Sequence, residues 1–549
     1  MALSALVIAD RYSGASMGHK MNAADADLGV AKGIIVVPPG SHSIGAQVVF
    51  SEDRTVVLGL GSYATSDDTY GSFIFHNRCR IVGHGWGTVI NEKALTGNNA
   101  YKAVFRDHGS WTGGVAPGDN DGVEDVYFAD FQIAGNPLSD FDSATPTLGL
   151  GNSRRVTIER VYLNKTRSIG INIGGTSNTG HHASDVWIKD CRFENVASQN
   201  ISNVNGRRIH VVNNTLVAAG QAGGPGATYI DFEPNIATDW CDAYEISGNI
   251  IDARGAANAG NGILVQRGGA TAGTVGGGVV ANNVVYGGDF GFTTAAQYIS
   301  TGILISGHNG VSVIGNKVRS AGQRGIWIDT CERVSAIGNT MSQCGGGGVE
   351  AMTISSSTNC TIKDNDLLFY TGANQGSALN LIVESGTSDY NIFQGNEVNS
   401  FSGQRGAIVL VGANSREFDN TFDGVKAKCF PYTDSAIAGS SGLLMKLDAT
   451  TPGNVAFHTT ADTKDDVIGV LLGAPSTGYN VALVVLIGDG SVTVPVKSDG
   501  TGTIGIGAAI QPSTTVNGHV KAGATNRIGR NAGASVAASL DAICTAMLN

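Results

Sequence analysis

A short phrase that ends in asparagine recurs along most of this chain and limits the possible folds. Each copy has alternating β-branched residues, then a small residue, then Asn. From Asn214 onward the copies follow one another at intervals of 23 to 35 residues. A phrase repeated at such intervals is typical of a solenoid or a propeller. The copies end at Asn164, Asn195, Asn214, Asn249, Asn283, Asn316, Asn339, Asn365, Asn396 and Asn420.

The residues between these asparagines indicate which kind of solenoid forms. The region has almost no apolar periodicity near 3.6 and no leucine scaffold, which argues against helical and leucine-rich repeats. Gly accounts for 78 of 549 residues, and charged residues for only 15%, a composition that favours many tight turns between short strands. Asn and Gly accept the left-handed backbone of sharp corners, and stacked Asn side chains can bond from one turn of chain to the next. The sequence therefore predicts an all-β, right-handed parallel β-helix.

Charge and cysteine content exclude several classes of protein. The net charge of −11 argues against a nucleic-acid partner. The eight cysteines form no CxxC pair and are predicted to be buried free thiols. No segment has the length of a transmembrane helix, and the first residues lack the basic region of a signal peptide. We therefore expect no membrane insertion and a location in a virion or outside a cell.

The chain divides into four predicted segments. Residues 1–30 form an N-terminal cap, because Ser13–Gly29 is helical in pattern and its Met and Ala residues can cover the first turn of the solenoid. Residues 31–425 form the β-helix. Residues 426–440 are predicted to be a linker, and 441–549 a small C-terminal β-barrel, because Gly, Asp and Asn turns separate short apolar strands there.

Two stretches resemble known families. The "VVPPG" step and "CRIVGHGWGTVI" (Cys79–Ile90) resemble the entry turns of the pectate-lyase-like β-helix superfamily, over roughly residues 30–425. This resemblance implies the fold strongly and the activity weakly. The order "IGVLL", "GDGSVTVPV", "GAAIQPS" and "NRIGR" resembles the capsid-cement or decoration domains of tailed bacteriophages. It implies phage virion proteins as partners and an assembly role, and β-helix spikes of phages are commonly homotrimers.

The pair Asp231 and Glu233 in "GATYIDFEPN" is the main candidate site. Residues i and i+2 of a strand share one face, about 6–7 Å apart along the backbone. Glycoside hydrolysis needs two such carboxyl groups, one as an acid and one as a base or nucleophile. The stretch also resembles the "GIDxEP" phrase of β-helix carbohydrate-active proteins and phage tailspikes, with Tyr229 in place of the usual Gly. Tyr229 is therefore a carbohydrate-binding candidate.

Further residues complete the candidate set. Asp242 and Glu245 could add acids from a neighbouring turn of chain. The alternative for Asp231 and Glu233 is structural: carboxylates before Pro-Asn can cap the amides of the corner and do no chemistry.

Aromatic and acidic loops add weaker candidates. Trp111, in a Gly-rich loop, could stack on a sugar, whereas Trp86 is predicted to pack under the cap. No cofactor is predicted, except that Asp119, Asp121 and Glu124 form an acidic turn that is a candidate calcium site.

Three classes of function remain open on the sequence. The first is a spike or fibre that binds cell-surface polysaccharide. The second is a polysaccharide depolymerase, either a glycoside hydrolase or a lyase, that acts through the paired carboxylates. The third is a structural surface protein without a ligand. The missing signal peptide and the C-terminal resemblance favour the first class, and the acid pair supports the second, so whether the protein is an enzyme stays open.

Overall fold

The computed structural model describes most of the chain in two units. The units are Met1–Thr340, and Met341–Thr371 with Gly376–Asn549. The described residues are 5–65, 72–92, 103–108, 122–135, 146–166, 169–174, 182–219, 228–254, 256, 260–271, 274–288, 299–345, 349–368, 379–399, 407–422, 425–431, 444–447, 455–457, 467–473, 481–486, 493–499, 509–512, 520–522, 529–531 and 540–548.

In the first unit, each turn of the chain contributes strands to three parallel sheets, named sheets A, B and C in the order in which the chain visits them. One such turn is called a rung. This arrangement confirms the predicted all-β parallel β-helix. Sheet A contains Ala5–Ile8, Gly33–Val37, Arg54–Leu58, Arg80–Val82, Tyr127–Ala129, Arg154–Glu159, Ala183–Lys189, Gly206–Val212, Cys241–Asp242, Glu245–Ser247, Val275–Gly276, Val279–Ala281, Ser312–Ile314 and Ser335–Ile337. Sheet B contains Gly40–Ile44, Gly61–Thr65, Thr88–Asn91, Gln132–Ala134, Tyr162–Asn164, Arg192–Glu194, Thr215–Val217, Ile250–Asp252, Val284–Tyr286 and Lys317–Arg319. Sheet C contains Val48–Phe50, Phe73–Phe75, Phe105–Asp107, Pro146–Leu150, Ile169–Ile173, Ile201–Asn203, Ile230–Phe232, Ile263–Gln266, Thr301–Ser306 and Arg324–Asp329.

The register between rungs stacks like residues on like in the core. In sheet C, one inward column consists of isoleucine on six successive rungs, and each of these side chains is fully buried. Burying one such side chain stabilises a fold by roughly 1.5–3 kcal/mol, so the column holds the rungs in a single register. Its members are Ile171, Ile201, Ile230, Ile263, Ile303 and Ile326.

The asparagine phrase forms a buried ladder at the corner between sheets A and B. The Asn249 side chain donates to Val211 O at 2.8 Å and to Asn283 Oδ1 at 2.9 Å, and Asn283 repeats the pattern with Ile246 O and Asn316. The ladder runs through Asn214, Asn249, Asn283, Asn316 and Asn339 in the first unit. Asn365, Asn396 and Asn420 form the same contacts in the second unit. The predicted stacking of these asparagines is therefore confirmed within each unit.

Two copies of the phrase do not belong to this ladder. Asn164 ends the sheet B strand Tyr162–Asn164, and Asn195 follows the sheet B strand Arg192–Glu194. Both therefore lie at the other end of sheet B, away from the corner at which the later copies stack. The first ladder asparagine, Asn214, instead receives a 2.9 Å hydrogen bond from the backbone N–H of Cys191.

The N-terminal helix, Met17–Leu28, follows the short 3₁₀ helix Ala9–Arg11 and covers the open end of the first rung. Its buried side, which includes Met21 and Ala24, confirms the predicted helical cap. The side chain of Asn22 donates to Gln47 O at 2.8 Å and accepts from Val49 N–H at 3.0 Å. The helix thereby satisfies backbone groups of a strand that has no preceding rung.

The second unit contains further parallel strands and then an antiparallel region. Its parallel strands are Thr340–Ser342, Glu350–Ser355, Thr361–Lys363, Asp366–Leu368, Leu379–Ser385, Ile392–Gln394, Glu397–Val398, Ala407–Val409, Arg416–Phe418 and Thr421–Phe422. Val425–Lys426 pairs antiparallel with the last of them. A five-stranded antiparallel sheet follows, made of Lys428–Pro431, Leu444–Leu447, Val455–Phe457, Val467–Gly473 and Val481–Leu486. A closed barrel contains Thr493–Asp499, Ala509–Pro512, Val520–Ala522, Gly529–Asn531 and Leu540–Leu548.

A closed C-terminal barrel is present, but it runs from Thr493 to Leu548, whereas the prediction placed all of residues 441–549 in it. The strands between Leu444 and Leu486 belong to the antiparallel sheet instead, and the segment before them also differs from the prediction. Residues 426–440 were expected to be a linker, yet Lys428–Pro431 is a strand that pairs with Val481–Leu486. The side chain of Cys429 packs against the apolar cluster Leu381, Val383, Ala407 and Val409. The free thiols Cys79, Cys191, Cys241, Cys331, Cys344 and Cys360 are buried, as predicted, and Cys429 is partly exposed.

Replacing Asn283 by alanine should strongly destabilise the first unit. The change removes the acceptor of the Asn249 N–H, one of the two acceptors of the Asn249 side-chain amide, and the side-chain donor to the carbonyl of Ile246. Each orphaned group costs about 1–3 kcal/mol, so the free energy of unfolding should fall by roughly 3 kcal/mol or more. Urea unfolding followed by circular dichroism measures this loss.

Asn282→Gly is the matched control. Asn282 is exposed and has a φ of 55°, which glycine accepts without strain. We expect the free energy of unfolding of Asn282→Gly to be close to that of the unsubstituted chain. Equal losses in the two variants would contradict a structural role of the ladder.

Candidate functional site

The outer face of sheet C carries the predicted acid pair. Asp231 is the middle residue of the strand Ile230–Phe232, whose other two side chains are fully buried in the core. Because side chains alternate along a strand, Asp231 lies on the outer face. Glu233 follows directly, and its N–H donates to Asn203 O at 3.0 Å, which continues the pairing for one more residue. The alternation therefore brings both carboxylates to the same outer face.

Asp231 is buried although it lies on this outer face. Only 4% of its surface is exposed. Its Oδ2 accepts a 3.1 Å hydrogen bond from Gln199 Nε2, on the neighbouring rung. Its Oδ1 has no hydrogen-bond partner among the described residues. The buried carboxyl group therefore has one oxygen without a partner, an arrangement that costs free energy unless a proton or a ligand occupies it.

Two other buried carboxylates, those of Asp25 and Glu384, each bind several donors. Asp25 accepts from Arg54 Nε at 2.7 Å and from Ser51 N–H and Oγ. Glu384 accepts from two side chains and from two backbone N–H groups. Each of these groups has the donors that a buried structural carboxylate needs. Among the described residues, Asp231 accepts from a single donor, Gln199, and so it differs from these two.

The turn after the acid pair is capped by a different residue. Asp239 Oδ2 accepts from Asn235 N–H at 2.9 Å and from Ile236 N–H at 3.0 Å. The structural alternative for Asp231 and Glu233 was that they cap the amides of this corner. Asp239 performs that role for both amides, and the sequence analysis missed this residue.

The surroundings of Asp231 alter its acidity. Burial, and to a smaller extent the nearby charge of Glu233, raise the pKa of Asp231 to about 7 against the opposing effect of the hydrogen bond from Gln199. Burial disfavours the charged carboxylate, and a second negative charge has the same effect. A carboxyl group with this pKa holds its proton near neutral pH and can donate it.

The structure does not bring Asp242 and Glu245 to this pair. Both lie on sheet A, whereas Asp231 lies on sheet C. Asp242 accepts two hydrogen bonds from Arg207, at 2.7 and 3.0 Å. Glu245 accepts from Ser247 and pairs with His210, contacts that lower its pKa. The expectation that a neighbouring turn adds these acids to the site is wrong, because they lie on a different sheet from Asp231 and are engaged there by Arg207, Ser247 and His210.

Other candidates also differ from expectation. Tyr229 is fully buried and its hydroxyl accepts from Ala219 N–H at 3.1 Å, so its ring cannot stack on a sugar. Trp111, Asp119 and Asp121 lie outside the described residues. Glu124 forms ion pairs with Arg154 and Arg155. Over the described ranges, no group of three or more His, Cys, Asp or Glu side chains could hold a metal ion.

Trp86 does not pack under the N-terminal cap. It is 46% exposed, and its Nε1–H donates to Arg160 O at 3.1 Å. The prediction of a covered Trp86 is wrong because this residue lies in the turn between sheets A and B.

Within the described part of the chain, no helix has the length and apolar character of a membrane span.

Comparison with known proteins gives structural similarity at low sequence identity. No protein-family model and no curated protein sequence matches this chain. The structure is similar to the A-module of the Azotobacter vinelandii mannuronan C-5 epimerase AlgE4, with 12% identity and a TM-score of 0.44, over 75% of this chain and 99% of that one. It is also similar to the Yersinia enterocolitica family 28 exopolygalacturonase, with 13% identity and a TM-score of 0.44, over 71% of this chain and 78% of that one. The pre-mature bacteriophage phi29 gene product 12 matches with 12% identity and a TM-score of 0.33, over 90% of this chain and 94% of that one. At these scores, no residue role is transferred to this chain.

The pKa of Asp231 makes stability depend on pH. The folded chain holds this proton up to about pH 7, whereas the unfolded carboxyl group loses it near 3.8. The folded state binds more protons between these values, so stability falls as pH rises, by about 1.4 kcal/mol per pH unit at most. Asp231→Asn should remove this fall, which thermal midpoints at pH 5 and pH 8 measure.

Asp185→Asn is the control for this measurement. Asp185 pairs with Arg208 on sheet A, and that hydrogen bond lowers its pKa. In this variant, the thermal midpoint should differ between pH 5 and pH 8 by as much as it does in the unsubstituted chain. If Asp231→Asn shows the same difference as the unsubstituted chain, the pKa of Asp231 is not raised.

Proposed function

We propose that this protein binds a polysaccharide along the outer face of sheet C and hydrolyses a glycosidic bond at Asp231 and Glu233. Asp231 would donate its proton to the glycosidic oxygen as the bond to the anomeric carbon breaks. Glu233, as a carboxylate, would either remove a proton from the attacking water or bond to the anomeric carbon before water replaces it. The overall change adds one water molecule across the glycosidic bond.

The observation that carries this proposal is the state of the Asp231 carboxyl group. It is buried, has one oxygen without a partner among the described residues, and lies beside a second carboxylate. A structural carboxylate gains stability from several donors, whereas a proton donor needs a low dielectric and a nearby negative charge. The contrast with Asp25 and Glu384 shows which arrangement this chain uses where stability is the requirement.

The same column of sheet C supplies surface for an extended substrate. The outward residues in register with Asp231 are Ser202 on one side and Leu264, Leu304 and Trp327 on the other. Rungs are about 4.8 Å apart, so Trp327 lies roughly 14 Å from Asp231 along the sheet. An indole ring suits the apolar face of a pyranose, which supports binding of more than one sugar unit.

Amide substitutions test the catalytic proposal. Asp231→Asn and Glu233→Gln keep the side-chain shape and remove the ionisable group. Each should lower turnover at least about 100-fold, the typical contribution of acid–base catalysis, while polysaccharide binding persists. The measurement is the release of reducing ends from purified cell-surface polysaccharides.

Asp242→Asn is the control, because this acid lies on sheet A and binds Arg207. It should retain full turnover. Unchanged activity in Asp231→Asn would contradict the proposal. Products that absorb as unsaturated uronates would indicate a lyase and contradict hydrolysis.

A second candidate function is attachment, with the barrel as the assembly module of a spike. The observation that favours it is that the strands from Thr493 to Leu548 form a closed barrel of their own. The antiparallel sheet that precedes them in the chain is a separate sheet. We propose that copies of the chain associate through this barrel as a homotrimer in a virion or another extracellular particle. Phage virion proteins are the proposed neighbours of such a spike.

Removal of residues 487–549 tests this assembly. The shortened chain keeps Cys429, whose Sγ accepts from Ile408 N–H at 3.3 Å, so the preceding sheet stays in contact with the apolar cluster. Light scattering should give a trimer for the full chain and a monomer for the shortened chain. The same number of chains per particle for both would contradict assembly through the barrel.

A further inference from the structure

Two exposed tryptophans lie where sheets A and B meet, away from the acid pair. Trp86 is 46% exposed, and Trp187 on sheet A is 39% exposed. Tyr162 of sheet B lies beside Trp86, and His210 of sheet A lies beside Trp187. These four residues are called the aromatic surface. The proposed hydrolysis uses none of them.

The rings of the aromatic surface are held in place. The centroids of Trp187 and His210 are 3.8 Å apart and their planes differ by 5°. On the other side of Trp187, the neighbouring rung presents Thr157 in register, a much smaller side chain than an aromatic ring, and the indole remains 39% exposed. Trp86 is fixed by its hydrogen bond to Arg160 O and by the ring of Tyr162 at 5.1 Å. Rigid rings lose little entropy when a ligand binds.

Ion pairs surround the aromatic surface and neutralise one another. Glu159 binds both Arg160 and Lys189, and Arg160 also binds Asp130 at 2.7 Å. Arg192 pairs with Glu194, and Arg208 with Asp185. Four cations thus face four carboxylates, namely Arg160, Lys189, Arg192 and Arg208 against Asp130, Glu159, Glu194 and Asp185. Asp190, next to Lys189, and Glu245, which contacts His210, add further carboxylates, so the rim offers many hydrogen-bonding groups and no excess of cations.

We infer that the aromatic surface is a second binding site for an uncharged polysaccharide. Exposed indole rings suit the apolar faces of sugar rings, and the paired charges suit hydroxyl groups, which donate and accept hydrogen bonds without bringing charge. An anionic polymer would find no excess of cations. A protein partner would have to desolvate four cations and four carboxylates around two separate rings, whereas protein interfaces favour contiguous apolar area.

The second site is independent of the proposed hydrolysis. The aromatic surface belongs to sheets A and B, whereas Asp231 and Glu233 lie on sheet C. A chain held at the aromatic surface would keep the protein on its polysaccharide while sheet C engages another segment. Binding at the aromatic surface would therefore persist even if Asp231 has no catalytic role.

Affinity electrophoresis of the full chain tests this inference. The gels contain dextran, galactomannan or hydroxyethyl cellulose as neutral probes and hyaluronate as the anionic probe. At least one neutral polymer should retard the protein, and the variant Trp86→Ala/Trp187→Ala should bind it at least about tenfold more weakly, as for removal of central aromatic contacts. Retardation should change little when the salt concentration is raised tenfold, because the neutral polymers carry no charge.

Three variants separate binding from stability and from the acid pair. Trp86→Phe/Trp187→Phe keeps flat rings and should retain most of the retardation. Ile250→Ala/Val279→Ala removes apolar side chains that are 45% and 40% exposed on sheets B and A, and should bind as the unsubstituted chain does. Asp231→Asn should also bind normally.

The outcomes that overturn the inference are specific. One is that none of the three neutral polymers retards the protein, and another is that hyaluronate alone does. The third is that Ile250→Ala/Val279→Ala loses as much retardation as Trp86→Ala/Trp187→Ala. If circular dichroism shows that Trp86→Ala/Trp187→Ala is unfolded, its loss of retardation does not count. Trp86→Phe/Trp187→Phe then decides, and the inference requires that this variant still binds.

Discussion

Hydrogen bonding from rung to rung is the constraint on which the structure depends. A parallel strand cannot satisfy its own backbone groups, so each rung needs the next one in register. At the corner between sheets A and B, the amide of Asn249 supplies donors to Val211 O and Asn283 Oδ1 while its own oxygen accepts from Asn214. Asparagine has both donors and an acceptor on one short side chain, so it can repeat this pattern without interruption. The register that it stabilises also stacks the isoleucine column in the core.

The ends of such a ladder need separate solutions, because an unpaired strand edge can recruit other chains. At the start, the helix Met17–Leu28 places Asn22 against the first strand of sheet C and Asp25 against the buried Arg54. Removing either charge of this pair would leave the other buried without its opposite charge. In the second unit, Cys429 covers an apolar cluster of parallel strands where the chain changes to antiparallel pairing. Both ends are closed by residues outside the repeated phrase.

The outer faces of the sheets are where this chain departs from what stability requires. Most arginines there are matched by carboxylates, as Arg207 is by Asp242 and Arg208 by Asp185. Asp231 is the opposite case, since burial raises its pKa to about 7 and one oxygen has no partner within the described residues. A repeated fold with strong rung-to-rung contacts can tolerate such a local cost, and destabilised groups of this kind concentrate at functional sites. The exposed rings of Trp86 and Trp187 are a second departure, in a different part of the surface.

The sequence alone determined the β-helix, the helical cap, the ladder from Asn214 to Asn339 and the shared face of Asp231 and Glu233. These features follow from alternation and corner chemistry, which are local properties of a few neighbouring residues. The tertiary structure decided that Tyr229 is buried, that Trp86 is exposed, that Asp239 caps the turn and that Asp242 pairs with Arg207 and Glu245 with His210 on another sheet. It also placed Gln199 beside Asp231, although 32 residues separate them. The contacts of a side chain across rungs depend on the lengths of the intervening loops, which vary from rung to rung, so no local pattern specifies them.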